Sequence, residues 1–215
     1  MTGKTAINDA RQGVDPAKLG TGLGSCAQPL VRYSHKHRDA RYVSAWSLGV
    51  IQDAMLASGV TKVNVTSTYR SPTDQVRVML GNYTPGKTMY RALGRKVEAV
   101  AAASHYTAAD SGTDKEASVE AAMLTELERL EHVHGVGCVS HHQKDPSQSN
   151  VIDIAAASVR PQSKLPDFVR QLTNSVFIER LGLPKSMKPY SHKHFHETAH
   201  CLHLEIPQVA IGPST

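Results

Sequence analysis

Apolar residues recur along the chain with two different periods, and the switches between them divide it into elements. From Val43 to Ser58, Trp46, Val50, Ile51 and Met55 fall at helical spacing, and Gly59 supplies the residue that ends such a run. Lys62-Val63-Asn64-Val65-Thr66-Ser67-Thr68 alternates and is rich in β-branched residues, which predicts a half-buried strand. Ser71-Pro72-Thr73-Asp74 follows at once. Serine at the N-cap, proline at the first helical position and an acid at the third predict a helix over 72–82, with Arg70 on the strand-to-helix corner. Helical spacing returns near 88–104 and 115–134. In the second of these Val119, Met123, Leu127 and Leu130 share one face and Gly135 stops the run. Ala108 to Thr113 is the polar loop between them.

Val136 to Ser140 and Val151 to Ala155 predict short strands joined by the polar loop Gln143 to Asn150. Leu165 to Leu181 is amphipathic through Phe168, Leu172 and Val176, and Gly182 with Pro184 closes it. His200-Cys201-Leu202-His203-Leu204-Glu205-Ile206 alternates again, a last strand before Pro207. Helices and strands do not follow one another regularly, which argues against a parallel doubly wound sheet. The expectation is an α+β fold, a small antiparallel sheet with helices packed on it. Residues 1–24 are polar with Gly13, Gly20, Gly22 and Gly24 and read as a flexible arm, leaving 25–215 as a single domain. Tyr-Ser-His-Lys-His occurs at both 33–37 and 190–194, too short to be a structural repeat.

Composition narrows the class. At 215 residues, with 40% hydrophobic and 20% charged, the chain has the make-up of a soluble globular protein. No apolar run approaches the roughly 18 residues of a membrane span. Met1 to Ala6 carries no apolar segment of the signal-peptide kind, so the expectation is synthesis in a cytoplasm without the general secretion signal. A net charge of +5 and a pI near 9.1 favour anionic partners. Aromatic content of 5%, with no basic run interleaved with aromatics, points away from nucleic acid. Three cysteines without a CxxC pair argue against a disulfide framework. Histidine is the unusual residue: there are twelve, five of them between His192 and His203.

A catalytic zinc takes three protein ligands, commonly neutral histidines and a carboxylate, and leaves one position open. Ser140-His141-His142 at a predicted strand end, Asp153 inside Val151-Ile152-Asp153-Ile154, and His203 in the last strand supply that set. A carboxylate among Val151, Ile152 and Ile154 is costly to bury unless it meets a cation or a metal, which makes Asp153 the most informative residue. Spacing alone leaves a metal site and an ordinary ion pair both open. His196-Glu197-Thr198-Ala199-His200 also spells H-E-x-x-H, a zinc motif that works only on a helix. The preceding Pro189 and the β-like run after His200 leave little room for one.

Val65 to Gln75, with Ser67, Tyr69, Arg70, Ser71 and Pro72, resembles the Ser-x-Tyr-Arg-Ser-Pro segment of the zinc D-Ala-D-Ala carboxypeptidases and L-alanyl-D-glutamate endopeptidases. These are cell-wall peptidases of the lysostaphin and Sonic hedgehog-like group, to which many bacteriophage endolysins belong. Ser140-His141-His142 with Ser149-Asn150-Val151-Ile152-Asp153-Ile154 is similar to that group's Ser-x-His-x-x-Gly-x-Ala-x-Asp motif, and Leu202-His203-Leu204-Glu205 to its last motif. The segments keep the family's order and span about 63–206. Two departures stand out: the His-to-Asp spacing is longer by about four residues, placed in a solvent loop, and Ser149 replaces the glycine.

The resemblance implies Zn2+ held by His142, Asp153 and His203 in a single zinc peptidase domain. It implies Arg70 on a substrate carboxylate or carbonyl, with Ser67, Tyr69 and Gln75 on the substrate side. The substrate would be peptidoglycan, with anionic cell-wall polymers as further partners, reached after release or from a virion. The family's base is a glutamate three residues before the last ligand or a histidine two before it. Those positions hold His200 and Cys201. A shifted frame makes His200 the ligand and Glu197 the base. A catalytically inactive zinc-containing cell-wall-binding or virion structural protein of the same fold is the alternative.

Overall fold

The computed structural model describes residues 28–34, 42–81, 95–108, 115–184, 186–187, 194–197 and 200–208. The predicted arm 1–24, the first residues of the predicted 88–104 helix and most of both Tyr-Ser-His-Lys-His copies lie outside these. In chain order the elements are β1 (Leu30–Tyr33), α1 (Ala45–Ser58), β2 (Lys62–Ser67), α2 (Pro72–Gly81), α3 (Arg95–Ala108), α4 (Lys115–His134), β3 (Ser149–Ala155), α5 (Leu165–Asn174), β4 (Arg180–Pro184), β5 (His194–Glu197) and β6 (Cys201–Pro207). The chain divides into two compact units, one of residues 1–68 with 146–215 and one of residues 69–145. None of the described helices is long and apolar enough to cross a membrane.

The first unit is the α+β fold expected. All six strands form one sheet in the order β1-β2-β3-β6-β4-β5. The sheet is mixed rather than wholly antiparallel: β1 runs parallel to β2 and β4 to β5, while β2/β3, β3/β6 and β6/β4 are antiparallel. For β1 and β2 the reason is α1, which lies between them in the chain. A parallel pair needs such a crossover, which a tight hairpin cannot provide.

α1 forms where the helical period of Trp46, Val50, Ile51 and Met55 predicts it. Ser44 caps it by accepting the Ser47 N–H at 3.0 Å, and Gly59, at φ 75°, ends it in the left-handed conformation. α1 and α5 set Ile51, Met55, Phe168 and Leu172 against Val63, Val65, Ile152, Ile154, Leu202 and Leu204 of the sheet. Each such fully buried side chain contributes roughly 1.5–3 kcal/mol.

Two expectations fail for stated reasons. The helix from Leu165 stops at Asn174, because Ser175 turns to an extended conformation, and Val176 is 73% exposed. Residues 180–184 form β4 instead, drawn into the ladder with β6 through Arg180↔Glu205, Leu181↔Leu204 and Gly182↔His203. Pairing with a distant strand overrides the local helical period. Val136 to Ser140 is not a strand but a series of turns, since Gly135 and Gly137 both take positive φ (89° and 84°).

The second unit is built from α2, α3 and α4, around Val76, Met79, Val100, Met123, Leu127 and Leu130. α2 starts as the sequence predicts: Ser71 Oγ accepts the Asp74 N–H at 3.1 Å and donates to Asp74 Oδ2 at 2.7 Å.

Candidate metal centre

β3 and β6 are the two central strands, and every residue of β6 from Cys201 to Ile206 is buried. Alternation sends Ile152, Ile154, Leu202, Leu204 and Ile206 to the helix-covered core. The residues between them face the other way. There Asp153 stands directly opposite His203, and Val151 opposite Glu205. The rung of Asp153 and His203 extends across the sheet, to Ser67 on β2 at one side and to Gly182 on β4 and Phe195 on β5 at the other. A register shift between Val65 and Ser67 puts Ser67 opposite Asp153, where an unbroken ladder would put Thr66.

The His203 imidazole touches a carboxylate on each side. Nδ1 lies 2.9 Å from Asp153 Oδ1, and Nε2 lies 3.5 Å from Glu205 Oε1, looser than a hydrogen bond. Glu205 is fully buried; Arg180, its partner across the β4/β6 ladder, reaches Oε1 at 3.2 Å. The Arg180 guanidinium sits 4.9 Å over the Phe195 ring, which meets His203 edge-on at 5.4 Å. Gly182 makes this possible: a Cβ there would lie 2.7 Å from Phe195 and 2.9 Å from His203.

Burial of His203 opposes the charged ring. The hydrogen bond to Asp153, the Glu205 carboxylate and both negative charges outweigh it and raise the imidazole pKa from 6.5 to about 9. Without a metal, His203 is thus a cation held between two anions.

This donor set suits a metal. Two ligands about 2.1 Å from a tetrahedral zinc stand about 3.4 Å apart, so a small opening of the 2.9 Å pair admits an ion in place of the shared proton. Histidine and carboxylate side chains able to hold a metal ion are present on both units, His141 and His142 on one and Asp153, His203 and Glu205 on the other.

The other expected site residues are placed as follows. His142 is buried in a short 3-10 turn (His141–Gln143), not at a strand end, and its carbonyl accepts the Arg70 N–H at 2.8 Å. Arg70 Nη1 donates to Gln75 Oε1 at 3.1 Å, and Gln75 is buried at the start of α2. Tyr69 is half-buried beside Arg70 in the chain. His200 is exposed on the bend before β6, and no group of described residues able to share a metal includes it.

Glu197 ends β5, and its side chain is outside the described ones. His196 and Glu197 are on a strand, so the helical H-E-x-x-H arrangement does not form.

No family model, curated protein or solved structure matches this chain. The site therefore rests on its own chemistry. Neither Glu205 nor Arg180 is marked as a site residue by the sequence. Glu205 had a signal: two residues beyond His203 on a strand, it must share that histidine's face. Arg180 had none, because its place follows from the β4/β6 register.

Proposed function

We propose that the chain is a zinc-dependent peptidoglycan peptidase that hydrolyses a stem-peptide bond flanked by a D-amino acid, with zinc held by His142, Asp153 and His203. The observation that supports this most is the Asp153–His203 pair. A carboxylate and an imidazole meet at 2.9 Å on the two central strands, at the two positions where the motif resemblance expects ligands. Zinc bound there would supply polarisation of the scissile carbonyl and acidification of a water.

The chain's own residues do the rest. Arg70, hydrogen-bonded to Gln75, would meet a substrate carboxylate or carbonyl through its guanidinium. Ser67 lines the rung beside Asp153, and Tyr69 flanks the arginine on the substrate side. His200 takes the proton of the attacking water and returns it to the leaving amine; in the shifted frame that role falls to Glu197. A charge of +5 favours residence on an anionic wall, reached after release from the cytoplasm or as part of a virion.

A second reading, favoured by the exposure of His200 on the bend before β6, is a zinc-containing cell-wall-binding or virion structural protein without catalysis. Elemental analysis of protein purified without added metal, run beside a turbidity assay on purified cell walls, separates the readings. The peptidase reading expects about one zinc per chain and clearing that a chelator stops. Zinc without clearing supports the second reading. No transition metal, and no uptake on adding zinc, refutes both.

A further inference from the structure

We infer that Glu205 is a positioning residue of the metal centre: anchored by Arg180, its carboxylate faces His203 Nε2 and so presents Nδ1 to the metal. The inference rests on the zinc reading above and adds a residue to it.

An imidazole has two nitrogens that point away from each other, and only one can meet a given ion. Nδ1 lies 2.9 Å from Asp153, so an ion shared by Asp153 and His203 sits on the Nδ1 side. Nε2 then needs a partner, and Glu205 Oε1, 3.5 Å away, is a small side-chain movement from accepting its proton. Histidines that bind metals usually donate their second N–H to a carboxylate or carbonyl, which fixes the tautomer and the ring angle.

Burial makes the assignment specific. Glu205 has no exposed surface, while the side chain of its ion-pair partner Arg180 is 42% exposed. An Arg–Glu pair alone could form at the sheet surface without the desolvation cost of a buried carboxylate. The same oxygen, Oε1, faces both Arg180 Nη1 and His203 Nε2, so the carboxylate connects the two. Phe195 closes a third side of the ring at 5.4 Å across Gly182. Because the ring nitrogens diverge, an ion on Nδ1 is beyond the reach of Glu205, which separates positioning from ligation.

The test uses the full chain and zinc itself. Zinc affinity is measured by competition with a chromophoric chelator for wild type, Glu205→Gln and Asp153→Asn. Long-range 15N–1H spectra of zinc-loaded wild type report which His203 nitrogen carries the metal, and need no variant to fold. The expected results are Nδ1 metallated with a proton on Nε2, a roughly 10–100-fold weaker affinity in Glu205→Gln, and a far larger loss in Asp153→Asn.

Metal on Nε2 overturns the inference. So does a Glu205→Gln variant that binds like wild type while Asp153→Asn has lost the metal; that outcome leaves the zinc reading standing. Equal and complete loss in both variants makes Glu205 a ligand and overturns positioning. A wild type that takes up no zinc overturns the zinc reading and this inference together.

Discussion

Replacing Asp153 by asparagine in the zinc-free protein keeps the side chain's volume and removes the charge that faces His203 Nδ1 at 2.9 Å. The rise of the imidazole pKa from 6.5 to about 9 corresponds to about 3 kcal/mol of native-state preference for the charged ring, shared between Asp153 and Glu205. Asp153 is the nearer of the two, but asparagine can still accept a hydrogen bond, so its charge is expected to be worth ~1–2 kcal/mol.

The direction follows from the sign of the shift. A folded-state pKa above the unfolded one gives stability that is complete below about 6.5 and lost as pH rises through about 9. Urea unfolding of both proteins in chelator, from pH 6 to 10, should give a stability difference that is full at pH 6 and small at pH 10. Taking the difference cancels titrations common to the two proteins. A gap that is flat or that widens with pH would refute the account of His203 as a cation between two carboxylates. So would a His203 proton titration with its midpoint at or below 6.5 in the zinc-free wild type.

Four other substitutions probe the surrounding residues. Gly182→Ala puts a methyl group within 2.9 Å of both Phe195 and His203, and thermal or urea unfolding should show a loss of about 1–3 kcal/mol with weakened zinc binding. Arg70→Lys keeps the charge but loses the guanidinium fork, so kcat/KM on cell-wall peptides should fall with zinc content unchanged; normal activity with a lower Tm would give Arg70 a structural role only. His200→Ala should lower turnover by about a hundredfold with zinc retained, and Glu197→Gln should cost less. Loss of metal in the first and of activity in the second would establish the shifted frame, with His200 as the ligand.

The sequence made some of this structure legible and hid the rest for physical reasons. β2, β3 and β6 were readable because alternation and β-branched residues are local signals, and α1 and α2 because Gly59 and Ser71 carry cap chemistry that acts within one turn. β4 was hidden inside an apparent helix: Phe168, Leu172 and Val176 keep the 3.6 period, and only the ladder to β6 makes residues 180–184 a strand. β1 and β5 are four-residue edge strands whose pairing is likewise set by partners remote in the chain or by a crossover. At the site, Asp153 stood out because a charge among β-branched residues is anomalous. Glu205 did not, because nothing local shows that both faces of β6 are covered.

The pairing of β3 with β6 also bears on the order of events in folding. Asp153 and His203 lie fifty residues apart in the chain, yet they face each other in the middle of the sheet. β1, α1 and β2 can associate over short loops, whereas the central ladder must first close a long one, at an entropic cost that short-range contacts do not carry. Until that closure an aspartate and a histidine are two separate, weak ligands. An ion taken up by the pair would therefore slow unfolding more than it speeds refolding, acting as a clasp on the finished sheet and not as a template for its assembly.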